Sequence, residues 1–141
     1  MMNFIISGIV AVIAMTLFSA IYNTFTKDEF REPNLLTQIF KKLFQRTLHK
    51  PLYVYGWIVL FLIGFVFLGL YEIAWRWFAI ERSIDIAVLF GLVSGFLGII
   101  GWYFMFKAVR YTYHFNYAHY YFHLVLAHIV FSVVAVFVYT Q

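Results

Sequence analysis

The chain has 141 residues, of which 65% are hydrophobic, 23% aromatic and only 11% charged. Soluble domains are about one-quarter charged, so an ordinary water-soluble domain is excluded; with no cysteine present, so are disulfides, thiolate metal centres and cysteine nucleophiles. The net charge of +4 is gathered in segments that flank apolar stretches, which directs it to lipid headgroups and away from nucleic acid.

A bilayer-crossing helix needs about 20 mostly apolar residues, and the length leaves room for a single membrane domain over 1–141. The first such stretch is Met2 to about Thr24. No basic residue precedes it and Lys27 follows it, so it reads as a retained helix and not a cleaved signal. Ser7 with Ala11, and Thr16 with Ala20, give it small residues four apart for close helix packing.

The next segment, about 34–50, is different. Leu35, Leu36, Ile39, Phe40, Leu43, Phe44 and Leu48 recur at helical steps on one face, while Gln38, Lys41, Lys42, Gln45, Arg46, His49 and Lys50 take the other. Pro33 and Asn34 supply the start signal. A basic amphipathic helix of this kind is expected to lie in the membrane interface, apolar face in the acyl boundary. Lys41, Lys42, Arg46 and Lys50 would then meet anionic headgroups. The alternative is a docking surface for a partner helix.

The second span, about 52–78, carries Tyr53, Tyr55 and Trp57 at its entry and Tyr71, Trp75 and Trp77 at its exit, the positions of an interfacial aromatic belt. Glu72 and Arg76 are four apart and predict a surface ion pair. The glycines are Gly56, Gly64 and Gly69. The third span, about 85–109, opens on Ser83 and Asp85, a capped and acid-favouring start. Its Gly91, Gly95 and Gly98 fall within about 60° of each other at 100° per residue, bordered by Ser94, and form a helix-packing strip.

The fourth span, about 118–139, follows "YTYHFNYAHYYFHLVLAH", residues 111–128, which holds four of the five histidines. His119 and His123 lie about 40° apart on one helix face, His128 lies nearly opposite, and His114 precedes the span. His119 and His123 could give two ligands to a metal or haem at the cytoplasmic face, with His49 as a third. Against this, His and Tyr are amphipathic and suit a membrane interface with no ligand at all, and pH sensing is a third reading. His128, Ser94, Thr16 and Ser132 make up the mid-membrane polar set. Glu72 reads as the only membrane-embedded acid, at the far side from the histidine pair, so no paired ionisable path crosses the core.

The Lys and Arg distribution orients the chain. The first loop holds Lys27, Arg31, Lys41, Lys42, Arg46 and Lys50, and the third holds Lys107 and Arg110. The second holds only Arg76 and Arg82, beside Glu72, Glu81 and Asp85. Loops one and three are therefore expected to be cytoplasmic and both termini non-cytoplasmic.

Three stretches resemble a broad group of bacterial four-helix integral membrane proteins to which no activity is attached. "GIVAVIAMT" (8–16) is similar to their first helix, "REPNLL" (31–36) stands where their Pro- and Asn-containing loop does, and "GWIVLFLIGFVFLGLYE" (56–72) is similar to their second helix. Members often carry a histidine in that second helix, where this chain has Leu60. Their fourth helix often reads His, two apolar residues, then Gly, and neither His123 nor His128 is followed so. The resemblance implies architecture only.

The expectation is an all-α integral membrane four-helix bundle of the bacterial cytoplasmic (inner) membrane, with an amphipathic helix between its first two spans. No nucleophile elbow, phosphate-binding loop or dinucleotide fingerprint is present in the sequence. The leading function is thus a non-enzymatic accessory or structural subunit, in contact with lipid and with other membrane subunits or copies of itself, and with no cofactor. The alternatives are a haem- or metal-binding redox subunit using His119, His123 and His49, and a homo-oligomeric channel or transporter with the glycine strip of the third span facing the pore.

Overall fold

The computed structural model describes residues 2–26, 29–44, 52–110 and 116–141. Among them are five helices and no strand: α1 (Met2–Asn23), α2 (Glu32–Leu43), α3 (Leu52–Trp77), α4 (Ile84–Ala108) and α5 (Tyr117–Tyr139). α1, α3, α4 and α5 are long and apolar enough to cross a membrane, and their ends lie within a residue or two of those expected from hydropathy. Local chemistry sets the starts. The Ser83 hydroxyl accepts the Ile86 N–H at 3.4 Å, and the Asn116 side chain accepts the His119 N–H at 3.1 Å, each giving a partner to an otherwise free first-turn donor.

α5 occupies the middle, packed along α4 on one side and α1 on the other, while α3 lies against α1 and is crossed by α2. Small residues decide these crossings, because helices in lipid gain little from apolar side chains and much from close backbone approach. A Cβ at Gly91 would stand 2.5 Å from the Cα of Ile129, and one at Gly95 would stand 2.9 Å from that of Val125. The glycine strip therefore seats α4 directly on α5. At Gly98 the neighbour is the His128 ring. Ser7 donates to the Ala135 carbonyl at 2.6 Å, tying α1 to α5. Gly64 admits Val12 of α1, and Gly8 admits Phe65 of α3.

Between α3 and α4 the contact is looser and aromatic. Tyr71 stacks on Phe90 at 4.8 Å and bonds the Ser94 hydroxyl at 2.8 Å. An apolar crease remains between the two helices, with α5 as its floor.

α2 corrects two expectations. It begins at Glu32, not near 34, and the first part of its apolar face is covered by protein and not by the acyl boundary: Leu35, Leu36 and Ile39 are 1, 1 and 4% exposed. The crossing is possible because Gly56 of α3 leaves room for the Pro33 carbonyl and the Thr37 hydroxyl. Only Leu43 and Phe44, at the end, are exposed apolar groups. Residues 45–51, including Arg46, Leu48, His49 and Lys50, lie outside the described residues.

Candidate functional site

The site at the α2 end of the bundle starts from a loop. The Glu29 carboxylate accepts from Asn23 Nδ2 (3.2 Å), from the Arg31 backbone N–H (3.0 Å) and guanidinium (2.8 and 2.6 Å), and from Asn34 Nδ2 (2.8 Å). Burial pushes Glu29 up, but the bonds from Arg31 and Asn34 and the charge of Arg31 outweigh it and hold the carboxyl below its usual range. Asn23 Oδ1 accepts the Phe30 N–H at 2.8 Å. This knot turns the chain sharply from α1 into α2 and drives Phe30, fully buried, into the bundle.

Phe30 meets the histidines. His119 Nε2 bonds the Tyr22 hydroxyl at 2.5 Å, and its ring stands edge-on to Phe30 at 5.4 Å. His123, one turn deeper and fully buried, is enclosed by Phe18 (5.7 Å, nearly parallel), Tyr22 (4.8 Å), Phe30 (5.4 Å) and Tyr120 (6.2 Å). Neither of its ring nitrogens has a hydrogen-bond partner. The two histidines do share a face, as their spacing indicates, but Tyr22 engages one and aromatic walls enclose the other. Among the described residues no three histidine or carboxylate groups gather where a metal ion could be held. His49, the third ligand in the haem or metal reading, and His114 lie outside the described residues.

The same loop places a group that sequence reading missed. Glu32, the first residue of α2, is 1% exposed. Its Oε1 accepts from Ser19 of α1 at 2.9 Å, while its Oε2 has no partner. Burial pushes this carboxyl up to about 7, against the pull of its own backbone N–H and of Ser19, and the nearby charge of Glu29 adds to the rise. Glu32 is thus a second acid withdrawn from solvent, on a helix that is not one of the four candidate spans. A signal was available: Glu32 stands three, four and seven residues before Leu35, Leu36 and Ile39, the helical spacing that puts all four on one buried stripe.

Glu32 also forms part of the wall of a cavity of about 140 Å³ in the crease between α3 and α4. The lining also includes His128 of α5. His128 Nδ1 lies 2.8 Å from the Leu124 carbonyl, which can only accept. Nδ1 thus carries the proton, and in the neutral ring Nε2 keeps its lone pair.

The other polar residues named within the spans bond mostly to helix carbonyls and to Tyr71 of α3. Thr16 donates to the Val12 carbonyl at 2.9 Å, and Ser94 to that of Phe90 at 2.7 Å. Ser132 is fully buried next to the Tyr71 hydroxyl. Gly91 and Gly95 are taken up by close approach to the α5 backbone and Gly98 by the His128 ring, so the strip serves packing within the bundle. Lys41 and Lys42 are exposed on the polar side of α2.

At the other end of the bundle Glu72 bonds Arg76 at 2.5 Å and lies 3.5 Å from Arg82. The Arg82 guanidinium in turn covers the rings of Trp75 (5.0 Å) and Tyr139 (4.6 Å), an arrangement that fixes the cation by cation–π attraction.

No protein-family model matches this chain, and neither the curated proteins nor the solved structures contain a significant match to it.

Proposed function

We propose that this chain is an integral subunit of the bacterial cytoplasmic membrane, crossing it four times, which acts by association with lipid and with a larger membrane complex and not by catalysis. The observation that carries this reading is the outward face of the long helices. Ile5, Ile9, Ile13, Leu17 and Ile21 on α1, Val54, Ile58, Leu62 and Val66 on α3, and Leu89, Val93, Phe96, Ile100 and Phe104 on α4 are all exposed. Contiguous apolar surface of this extent needs hydrocarbon or another membrane helix over it. α5 is the most enclosed of the four, so the bundle offers α1, α3 and α4 outward.

The basic first and third loops support a cytoplasmic placement for the end that carries α2, Glu32 and the histidine pair. Lys41 and Lys42, exposed on α2, then stand where anionic headgroups are attracted. α2 is held to the bundle by its first half and reaches the interface by Leu43 and Phe44 in its last turn.

The test is purification from native membranes in a mild detergent, with the mass of the protein component measured. The proposal expects a particle heavier than one chain that contains other membrane proteins. A homogeneous particle of one chain in its micelle would overturn the association, and a chain released by alkaline carbonate would overturn the membrane placement.

A further inference from the structure

We propose that the crease between α3 and α4 is a binding site for a lipid-soluble aromatic alcohol, a quinol- or phenol-headed molecule whose ring occupies the cavity and donates its hydroxyl to Glu32. The inference rests on the membrane placement above, since such a ligand arrives through the bilayer.

Three observations converge on that chemistry. The first is size: a cavity of about 140 Å³ is close to an engineered apolar cavity of roughly 150 Å³ that takes up a benzene ring. Its lining is of the right kind, with Phe67, Trp102 and Phe131 presenting ring surfaces and Gly101 leaving open space where a Cβ would otherwise stand.

The second is the unsatisfied carboxylate. A buried acceptor without a partner is expensive to leave unmade, and Glu32 Oε2 is one, on a side chain that forms part of this wall. An ionised carboxylate oxygen calls for a donor and a protonated one for an acceptor, and a phenolic hydroxyl can be either. A phosphate or carboxylate head would instead be repelled, by Glu32 when ionised and by Glu29 behind it. His128, on the same lining with its Nε2 lone pair, offers a second acceptor for a ring bearing a second hydroxyl. Among the described residues, Ser19 and Glu29 bear on Glu32, and His128 and the indole of Trp102 share its cavity.

The third is access. Ile63 and Leu97, both in the lining, are themselves exposed on the outer faces of α3 and α4, so the cavity opens sideways between the helices towards lipid. A second cavity of about 160 Å³ shares Phe67 and Leu97 with the first and continues along the same crease past Tyr71 and Ser94. An apolar tail attached to the ring has a place to lie. The proposal is of binding alone and includes no electron transfer.

The test uses the full chain in lipid nanodiscs and two probes with one tail, decylbenzoquinol and decylbenzene, read by quenching of tryptophan fluorescence, with Trp102 in the cavity wall. The quinol is expected to bind about tenfold more tightly than decylbenzene, the scale of one hydrogen bond to a buried carboxyl. Glu32→Leu should remove that preference while decylbenzene still binds, and Glu32→Gln, which keeps a carbonyl acceptor, should restore part of it. Gly101→Phe, which grows into open space, should abolish both. Equal affinity of the two probes for the unaltered protein would overturn the proposal even if Glu32→Leu does not fold, as would a preference that survives Glu32→Leu. Loss of quinol binding with nanodisc insertion intact would refute the ligand alone; failure to insert would refute the membrane reading beneath it.

Discussion

The two ends of the bundle each hold a glutamate and treat it in opposite ways. Glu72 gives one carboxylate oxygen to Arg76 and holds Arg82 3.5 Å from the other, with its own side chain 14% exposed. Glu32 has a serine hydroxyl on one oxygen, nothing on the other and almost no exposure. One carboxylate is a tether between α3 and the start of α4. The other is a buried polar group in an apolar wall, a position that carries a stability penalty whenever it ionises. Chemically identical side chains thus become an ion pair and a candidate binding group through their surroundings.

The largest expected effect comes from making Glu32 choose its charge. Its carboxyl lies up at about 7 when folded, against an ordinary value of 4.5. Between those values the folded state holds more protons than the unfolded one, so stability falls as pH rises through the window and levels off above it. Thermal unfolding in detergent should show a loss on the order of 3 kcal/mol between about pH 5 and about pH 8. Glu32→Gln should flatten that slope and raise the melting temperature at the alkaline end. Glu29 works in the opposite sense, losing its contribution only as pH falls below the usual carboxylate range, so the two windows are separate.

The next effect is at His123, whose two ring nitrogens have no partner inside a ring of Phe18, Tyr22, Phe30 and Tyr120. His123→Phe keeps the stacking and removes buried polar atoms, and should stabilise by about 1 kcal/mol or more; a loss of that size would show that the imidazole has an unseen role. Tyr22→Phe, which deletes the bond to His119, should cost about 1 kcal/mol in the same assay. Smallest of all is the far end: Glu72→Gln keeps an acceptor for Arg76, whose side chain is 71% exposed to solvent, and should leave the melting temperature nearly unchanged. A large drop there would dissolve the contrast between the two carboxylates.

The sequence made the ion-paired glutamate legible and hid the unpaired one, for a definable reason. The pairing of Glu72 with Arg76 is a local spacing, four residues on one helix. The glycine strip of α4 and the cap at Ser83 are local in the same way, and hydropathy alone marks the four long helices. Glu32 depends on where α2 begins. A start at Asn34 leaves it in a loop, whereas a start two residues earlier puts it on the stripe with Leu35, Leu36 and Ile39. Its burial then needs Gly56 to admit α2 against α3 and Ser19 to meet the carboxyl, contacts between residues far apart in the chain. The histidines show the same limit. The spacing of His119 and His123 is that of a ligand pair, but nothing local says that Phe30 would be folded between α1 and α5 to enclose them.

The measurement that bears most directly on this account is a titration of the Glu32 side chain itself, by its carboxyl carbon resonance or infrared carbonyl band, in the full chain, with Glu32→Gln to assign the signal. The account expects a midpoint near 7. A midpoint near 4.5, the ordinary value for a glutamate, would mean that water reaches the carboxylate, and would contradict both its burial beneath α2 and its place in the wall of the crease.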